Sequence, residues 1–304
     1  MIFNVKSKYI LEIIFSNLEE CHKLYIIKYN NNLKNNLGFD LGYYKNYSGR
    51  YKIEDKDGRA KEYSLYSRIL LFDGEYKNGR RSGKGNEYYI TSKLKFFGEY
   101  KNGKRNGEGR EYDDYGGLEF EGQFKNNKRF GKGIEYYYNG KIKFKGEYLN
   151  GLKNGSGTFF DINGKLIYEG KYFQGERNGN GKEYYDFRKL KFEGEFLKGK
   201  KWNGYGYDPS GNLIYEIKCG KGLIKEFYES GILKYEGEYI NGELSGLVNE
   251  YFINGNLQFI GEYLKGKRNG IGKEYNYERE LIYEGEYIEG NKRPKGIEGS
   301  CINQ

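Results

Sequence analysis

The fold is decided by a stretch that reads Phe97-Gly98-Glu99-Tyr100-Lys101-Asn102-Gly103-Lys104-Arg105-Asn106-Gly107-Glu108-Gly109. Its first block, an aromatic residue, a glycine, usually Glu, and a second aromatic residue, recurs along most of the chain. Gly98 and Gly122 show the regular spacing of 24 residues. A fixed period of this length is the signature of a repeat architecture, so we expect about eleven units, counting degenerate ones. The long step from Gly194 to Gly237 hides a shortened copy at Tyr215-Glu216-Ile217.

Each unit is predicted to contain two β-strands. In the segment from Ile142 to Tyr148 the apolar or small residues, Ile142, Phe144, Gly146 and Tyr148, occupy every second position, with charged residues between them. A period of two is typical of a strand and not of a helix. The second strand carries Gly-x-Gly-x-Glu-Tyr, so one unit is predicted to be one hairpin.

Two kinds of turn are expected. Asn139-Gly140 and its equivalents lie between alternating runs and favour a two-residue hairpin turn, because Asn and Gly tolerate positive φ. The other turn, Asn-Gly-Lys-Arg, is predicted to be longer and more basic. Tight turns would therefore join one unit to the next.

The paired glycines of Gly-x-Gly would weaken an ordinary strand. Their regular use predicts aromatic rings from the neighbouring strand packed over the empty space. We therefore expect a mainly β fold, an elongated single-layer antiparallel sheet of tandem 24-residue hairpins, with a short helical segment at the N-terminus.

The quoted stretch resembles the MORN repeat, whose pattern is roughly Tyr-x-Gly-x-Trp-x-x-Gly-x-x-x-Gly-x-Gly. The resemblance covers about residues 70–296. Tyr or Phe consistently replaces the Trp of the motif, which resembles a variant class of the repeat. The positions concerned are Tyr76, Tyr100, Phe124, Tyr148, Tyr172, Phe196, Tyr239, Tyr263 and Tyr287. The resemblance implies a binding array associated with membrane-cortex organisation, dimerisation and phosphoinositide binding.

Four segments are predicted: residues 1–40 as a helical cap or adaptor segment, 41–69 as a degenerate first repeat, 70–296 as the array and 297–304 as a tail. Ile10, Leu11, Ile13 and Ile14 form a helical apolar face that could cap the first strand edge. The run from Ile10 to Leu18 also resembles the first helix of an F-box, without the usual Leu-Pro start. Both interpretations stay open.

Composition limits the functional classes. The single histidine, His22, lies in the predicted helical segment, so we expect no His-dependent triad and no His-rich metal cluster. The repeated glutamates occupy equal environments, whereas a catalytic pair needs two unlike ones, so we expect no enzyme, no metal and no cofactor. The three cysteines, at unrelated spacings, indicate a reducing compartment. No stretch approaches the roughly 20 apolar residues of a transmembrane helix. An intracellular, cytoplasmic protein that can bind a membrane peripherally is expected.

The basic turns are the candidate binding site. Each unit adds two strands of about 4.8 Å, so equivalent turns should recur roughly every 10 Å along one edge. The net charge is +9, which favours anionic partners. The predicted anionic-lipid or partner-binding residues are Lys77, Arg80, Arg81, Lys101, Lys104, Arg105, Lys125, Lys128, Arg129, Lys265, Lys267 and Arg268. Simple solvation of the turns is the alternative interpretation.

The leading functional prediction is a non-enzymatic repeat scaffold that mediates protein–protein and anionic-membrane, including phosphoinositide, interactions. Protein partners are expected, nucleic acid is not, and homo-oligomer formation is left open. The alternative is an F-box-like substrate adaptor for a ubiquitin ligase, in which the repeats bind the target. The identity of the partner does not follow from the sequence.

Overall fold

The computed structural model describes residues 50–55, 57–65 and 67–293. The predicted helical cap, the F-box-like run and the tail lie outside these residues. The described part divides into two compact units: one extends to Leu118 and includes residues 125–127, and the other comprises residues 119–124 and the chain from Lys128 onward. Nearly all of it is antiparallel strand, which confirms the predicted fold class.

The strands of the first unit pair antiparallel with their neighbours in chain order. They are β1 (Arg50–Glu54), β2 (Arg59–Ser64), β3 (Leu70–Lys77), β4 (Arg80–Tyr88), β5 (Leu94–Lys101) and β6 (Lys104–Tyr112). The pair β1 and β2 falls in the segment predicted to be a degenerate first repeat.

The second unit contains the remaining strands, and residues 119–124 of β7 belong to it. They are β7 (Leu118–Lys125), β8 (Lys128–Tyr136), β9 (Ile142–Leu149), β10 (Leu152–Phe160), β11 (Leu166–Phe173), β12 (Glu176–Tyr184), β13 (Leu190–Leu197), β14 (Lys200–Tyr207), β15 (Leu213–Ile217), β16 (Gly222–Phe227), β17 (Leu233–Ile240), β18 (Glu243–Tyr251), β19 (Leu257–Leu264), β20 (Lys267–Tyr275), β21 (Leu281–Ile288) and β22 (Asn291–Lys292). A short 3-10 helix, Asp186–Arg188, precedes β13.

The two faces of the strands differ sharply. In β9, Phe144 and Tyr148 are buried, whereas Lys143, Lys145 and Glu147 between them point to the opposite side. We call the first side the ring face and the second the open face. This alternation is the pattern expected of a strand that buries one side only.

Glycine makes room for the rings of the ring face. A Cβ atom on Gly146 would lie 2.6 Å from Cζ of Phe144, and one on Gly157, opposite Gly146, would lie 2.3 Å from it. The ring therefore covers a glycine of its own strand and one of the next strand. Only the second glycine of Gly-x-Gly leaves space for a ring. The prediction that rings pack over both glycines is therefore correct for the second glycine and wrong for the first.

The first glycine of Gly-x-Gly forms a β-bulge. Gly155 has φ of 108°, in the region that favours glycine, and the strand register shifts between Lys153 and Gly157. Glu147 extends over Gly155 on the open face, and its Oε2 accepts a hydrogen bond of 3.1 Å from the amide of Ser156. The bulge therefore places a glutamate on the open face.

The lengths predicted for the two turns are reversed. Leu149 pairs with Leu152, so Asn150-Gly151 is the two-residue turn, with φ of 54° and 90°. Positive φ at both central residues is the type I′ geometry that suits the twist of a hairpin. At the other end Tyr136 pairs with Ile142, so Asn139-Gly140 belongs to a longer loop in which only Gly140 has positive φ. Both turns contain Asn-Gly, so the dipeptide could not distinguish them.

The longer loops alternate between two forms. The hydroxyl of Tyr137 donates to the carbonyl of Phe160 at 2.8 Å, which ties one loop to the next. In that next loop Oδ1 of Asp161 accepts from the amides of Asn163 and Lys165, at 2.8 and 2.9 Å. Tyr89, Tyr185 and Tyr228 repeat the first form, and Asp113 and Asp208 repeat the second. From Tyr89 to Tyr228 the structural period on this side is therefore two hairpins. The loop at Asn276, two loops after Tyr228, has the second form and breaks the alternation.

Strand pairing is interrupted in the second unit at the shortened repeat. β15 and β16 are joined by the isolated bridge between Lys218 and Lys221. Ile217 and Ile224 stand at ring-face positions that glycine occupies in other repeats, and both are buried. Strands β16 to β22 form a separate sheet, which differs from the expected single sheet.

Candidate functional site

The ring face is filled by its own side chains. The ring of Phe144 contacts Tyr148 and Tyr172 edge-on, with centroid distances of 5.6 and 5.1 Å. Such edge-to-face pairs repeat from hairpin to hairpin in both units, and T-shaped geometry is favoured between aromatic rings. The ring face is therefore the core of the array and offers little surface to a partner.

The second basic residue of each turn belongs to this core. The guanidinium carbon of Arg105 lies 4.2 Å from the ring centroid of Phe96, a cation–π contact. Its Nη1 lies 2.7 Å from Oε1 of Glu111, and its Nη2 contacts Glu87. In the second unit Glu135 similarly lies between Arg129 and Lys153, at 3.0 and 3.2 Å. A line of alternating cations and carboxylates thus covers the rings.

This packing divides the twelve predicted binding residues into two groups. Four arginines are largely buried, with side-chain exposures of 17, 13, 26 and 17% for Arg81, Arg105, Arg129 and Arg268. They bind glutamates and rings of the core, so the prediction that they form part of a surface binding site was wrong for them. The other eight are exposed: Lys77, Arg80, Lys101, Lys104, Lys125, Lys128, Lys265 and Lys267.

The exposed cations of the first unit follow one edge. The amide of Gly103 donates to the carbonyl of Arg81 at 2.9 Å, and the amide of Asn127 donates to the carbonyl of Arg105 at 3.0 Å. Consecutive two-residue turns therefore lie side by side. We call this line of turns the turn edge. In the first unit it carries Lys77, Arg80, Lys101, Lys104 and Lys125.

In the second unit the turn edge becomes apolar, which the sequence analysis did not recognise. The strand residue before the two-residue turn is Lys at positions 77, 101 and 125 and, except for Lys218 in the shortened repeat, a large apolar residue in later repeats. The exposed apolar residues at this position are Leu149, Phe173, Leu197, Ile240, Leu264 and Ile288. Aligning the repeats by position would have revealed the change.

The open face also changes character along the chain. In several repeats the middle residue of Gly-x-Gly lies opposite an acidic residue of the next strand, as in the pairs Lys84–Glu99 and Lys132–Glu147, whereas Ser156 lies opposite Lys171. In the separate sheet the corresponding pairs are Leu223–Glu238, Leu247–Glu262 and Ile271–Glu286. These three aliphatic side chains are 71, 70 and 59% exposed. An aliphatic residue has replaced the polar partner of each glutamate.

A groove lies on the open face of β10 to β14. Its floor is formed by a row of glycines on consecutive strands, Gly157, Gly170, Gly181, Gly194 and Gly204, and its volume is about 660 Å³. Polar side chains such as Thr158, Lys182 and Glu193 form the walls. This arrangement offers backbone and hydrogen-bonding groups without an activated nucleophile.

A buried charge cluster marks the shortened repeat. Glu226 contacts Lys201 and Lys191, and its Oε1 accepts a hydrogen bond of 3.2 Å from the hydroxyl of Tyr215. Burial acts to raise the pKa of Glu226, but the two lysines lower it to about 2. Glu226 is therefore a carboxylate and Lys201 a cation at neutral pH. This cluster joins β16 to β13 and β14 and has the features of a structural ion pair.

Two further kinds of functional feature are absent from the described residues. No group of three or more His, Cys, Asp or Glu side chains there could hold a metal ion. Within the same residues no helix is long and apolar enough to cross a membrane. Cys219 is exposed and its thiol is free.

Comparison with known proteins supports the repeat assignment. The sequence model of the MORN repeat family matches residues 72–91, 96–116, 120–142, 144–165, 168–186, 235–247 and 259–276. The unmatched stretch between 186 and 235 contains the shortened repeat. No curated protein matches the sequence.

Solved structures include matches to parts of the chain. One is the crystal structure of a S. aureus TarM mutant in complex with Fondaparinux, alpha-GlcNAc-glycerol and UDP, at 13% sequence identity and a TM-score of 0.17. The match covers 55% of this chain and 27% of that chain, so this chain spans about a quarter of its length. At this TM-score the similarity carries no argument about fold or activity.

Proposed function

Since the chain belongs to the MORN repeat family, we propose that it is a non-enzymatic repeat scaffold that binds protein partners along its open face and turn edge. One observation carries the proposal: the ring face keeps the same residue types in successive repeats, whereas the exposed positions change. Phe96, Phe120 and Phe144 are equivalent and buried, while Lys84, Ser156 and Leu247 are equivalent on the open face. Folding requires the aromatic residues of the ring face but no particular residue on the open face. Variation on the open face is therefore available for partner recognition.

Binding to an anionic membrane is a second candidate function. It is favoured by the exposed Lys77, Arg80, Lys101, Lys104 and Lys125 on the turn edge of the first unit. A basic residue near an anionic surface contributes about 1 kcal/mol, and this attraction weakens as salt shortens the Debye length. The buried arginines are not needed for it.

Vesicle co-sedimentation tests the membrane candidate. We expect the full chain to bind vesicles of phosphatidylcholine and phosphatidylserine at low salt and to be released at high salt. Replacing the five exposed cations of the first unit with Gln should abolish binding and leave the circular dichroism spectrum unchanged. Wild-type protein that ignores these vesicles at low salt would remove this function.

Affinity capture tests the scaffold proposal against the adaptor alternative. The immobilised full chain is compared with a chain lacking residues 1–40 and with an open-face variant, Lys84→Glu with Lys171→Glu. A scaffold should lose specific proteins in the open-face variant and keep them after the deletion. Loss of ubiquitin-ligase subunits on deletion alone would favour the F-box-like adaptor instead.

A further inference from the structure

The open face of the separate sheet has a regular apolar and acidic surface. Leu223, Leu247 and Ile271 lie on β16, β18 and β20, each opposite a glutamate of the following strand: Glu238, Glu262 and Glu286. Ile260, on β19 between these strands, is also exposed on this face. Exposed aliphatic residues that recur on one face of a sheet mark an interaction surface rather than scattered surface residues.

Earlier repeats show that the fold does not require aliphatic residues at these positions. Lys132 lies opposite Glu147, and Asn180 lies opposite Glu195, in hairpins with the same bulge and the same ring packing. The glutamate is kept in the separate sheet, but its cross-strand partner has become Leu or Ile. Opposite charges across a strand pair stabilise a sheet, so this exchange removes a favourable contact and exposes apolar surface to water. Binding to a partner would offset that loss.

The charges on this face indicate which partner fits. Lys225 binds Glu236 at 3.2 Å and Lys273 binds Glu284 at 3.0 Å, so these lysines are already neutralised. Glu238 and Glu262 form no ion pair with any residue in the described part of the chain. The face is therefore apolar with uncompensated negative charge, although the chain as a whole has a net charge of +9.

We propose that this face docks a basic amphipathic helix of a protein partner, which specifies one partner class for the scaffold function proposed above. Apolar–acidic pairs recur every second strand, about 10 Å apart. Residues i and i+7 of a helix are separated by a similar distance, with i+3 and i+4 midway between them. Aliphatic residues seven positions apart on the helix would contact Leu223, Leu247 and Ile271. Lys or Arg at the positions midway between them would bind Glu238 and Glu262.

The same charges argue against two other occupants. A second copy of the sheet would bury Glu238 and Glu262 close to the same acids of its partner, and like charges across an interface are unfavourable. An anionic membrane would repel them. A basic helix neutralises both carboxylates while it covers the aliphatic side chains.

A synthetic helical peptide provides the direct test. It carries leucine at every seventh position and a pair of arginines halfway between successive leucines, and its binding to the full chain is followed by fluorescence anisotropy. We expect Leu247→Asn with Ile271→Asn, and separately Glu238→Lys with Glu262→Lys, to weaken binding by about tenfold or more. Lys132→Asn, at the equivalent position of an earlier repeat, is the matched control and should leave binding unchanged. Circular dichroism verifies that each variant is folded.

Three results would overturn the proposal. The first is wild-type binding no tighter than that of a shuffled peptide with the same composition, and the second is equal affinity for all variants. The third is that Leu247→Asn with Ile271→Asn instead dissociates a dimer in sedimentation equilibrium or releases phosphatidylserine vesicles, which would assign the face to a second copy or to lipid. If the peptide does not bind but the open face of earlier repeats still captures proteins, the docking proposal for this face is rejected. The scaffold function would then still stand.

Discussion

The ring face and the open face are formed by the same strands, yet they behave differently along the chain. At the ring face, Phe96, Phe144 and Phe259 occupy equivalent buried positions, and each lies against glycines and under a basic side chain. At the open face, Lys132 and Ile271 occupy equivalent exposed positions. A repeat protein can therefore keep its core constant while each repeat presents a different surface.

The largest expected effect comes from removing a ring. Phe144→Ala should lower the free energy of unfolding by about 3–5 kcal/mol, because it deletes a fully buried side chain and the edge contacts to Tyr148 and Tyr172. Phe173→Ala, at an exposed position of the turn edge, should change it by less than about 0.5 kcal/mol. Urea unfolding followed by circular dichroism gives both values. Equal losses would contradict the division into two faces.

A smaller loss is expected at the buried charge cluster. Glu226→Gln should cost about 1.5–3 kcal/mol, because Lys201 loses a charged partner in a buried site. Glu216→Gln, on the exposed side of the neighbouring strand, is the matched control and should be nearly neutral.

The same pair of variants gives a pH dependence. The pKa of Glu226 is about 2 in the folded chain and about 4.3 for an unperturbed glutamate, so its stabilisation is present above the second value. It is lost as pH falls toward 2. Wild type should therefore lose its advantage over Glu226→Gln between about pH 4.3 and 2. An advantage that stays constant across this range would show that Glu226 does not act as a paired carboxylate.

Substitution of a glycine also distinguishes the ring face from the open face. Gly133→Val should destabilise by about 1–3 kcal/mol, because a Cβ atom there would lie 2.4 Å from Cζ of Phe120. Lys132→Val places the same side chain one residue earlier, on the open face, and should be tolerated. If thermal unfolding shows no difference between the two variants, the packing of rings on glycine is not a source of stability.

The smallest effect is expected among the basic residues. Arg105→Gln should cost about 1–2 kcal/mol, because it removes the contact with Phe96 and the ion pairs with Glu87 and Glu111. Lys104→Gln, next to it but exposed, should change stability by less than about 0.5 kcal/mol. If urea unfolding shows a larger loss of stability for Lys104→Gln than for Arg105→Gln, Lys104 and not Arg105 belongs to the core.

Much of the fold followed from local patterns. The alternation from Ile142 to Tyr148 predicted strands, and the period of 24 residues between Gly98 and Gly122 predicted stacked hairpins. Turn lengths did not follow, because Asn139-Gly140 and Asn150-Gly151 are the same dipeptide at opposite ends of a strand. Strand register decides which of them closes the hairpin tightly.

The candidate site was predicted less completely than the fold. Basic residues in the turns were identified from composition, but Lys104 and Arg105 are adjacent in sequence and point to opposite faces. The binding role of the exposed cations stays a prediction. The apolar positions of the open face, such as Leu247, were overlooked because each repeat was interpreted by its shared motif and not by its differences.

The repeat, the strand period and the supply of rings and glycines follow from the amino-acid sequence alone, because they depend on spacing along one chain. The cations that are available to a partner, in contrast, depend on packing between hairpins. A turn residue becomes part of the core when its neighbour in the next hairpin supplies a ring and a carboxylate, as Phe96 and Glu87 do for Arg105. The place where strand pairing is interrupted also depends on tertiary packing: β15 and β16 share the isolated bridge between Lys218 and Lys221, and the ion pairs of Glu226 with Lys191 and Lys201 hold β16 against β13 and β14.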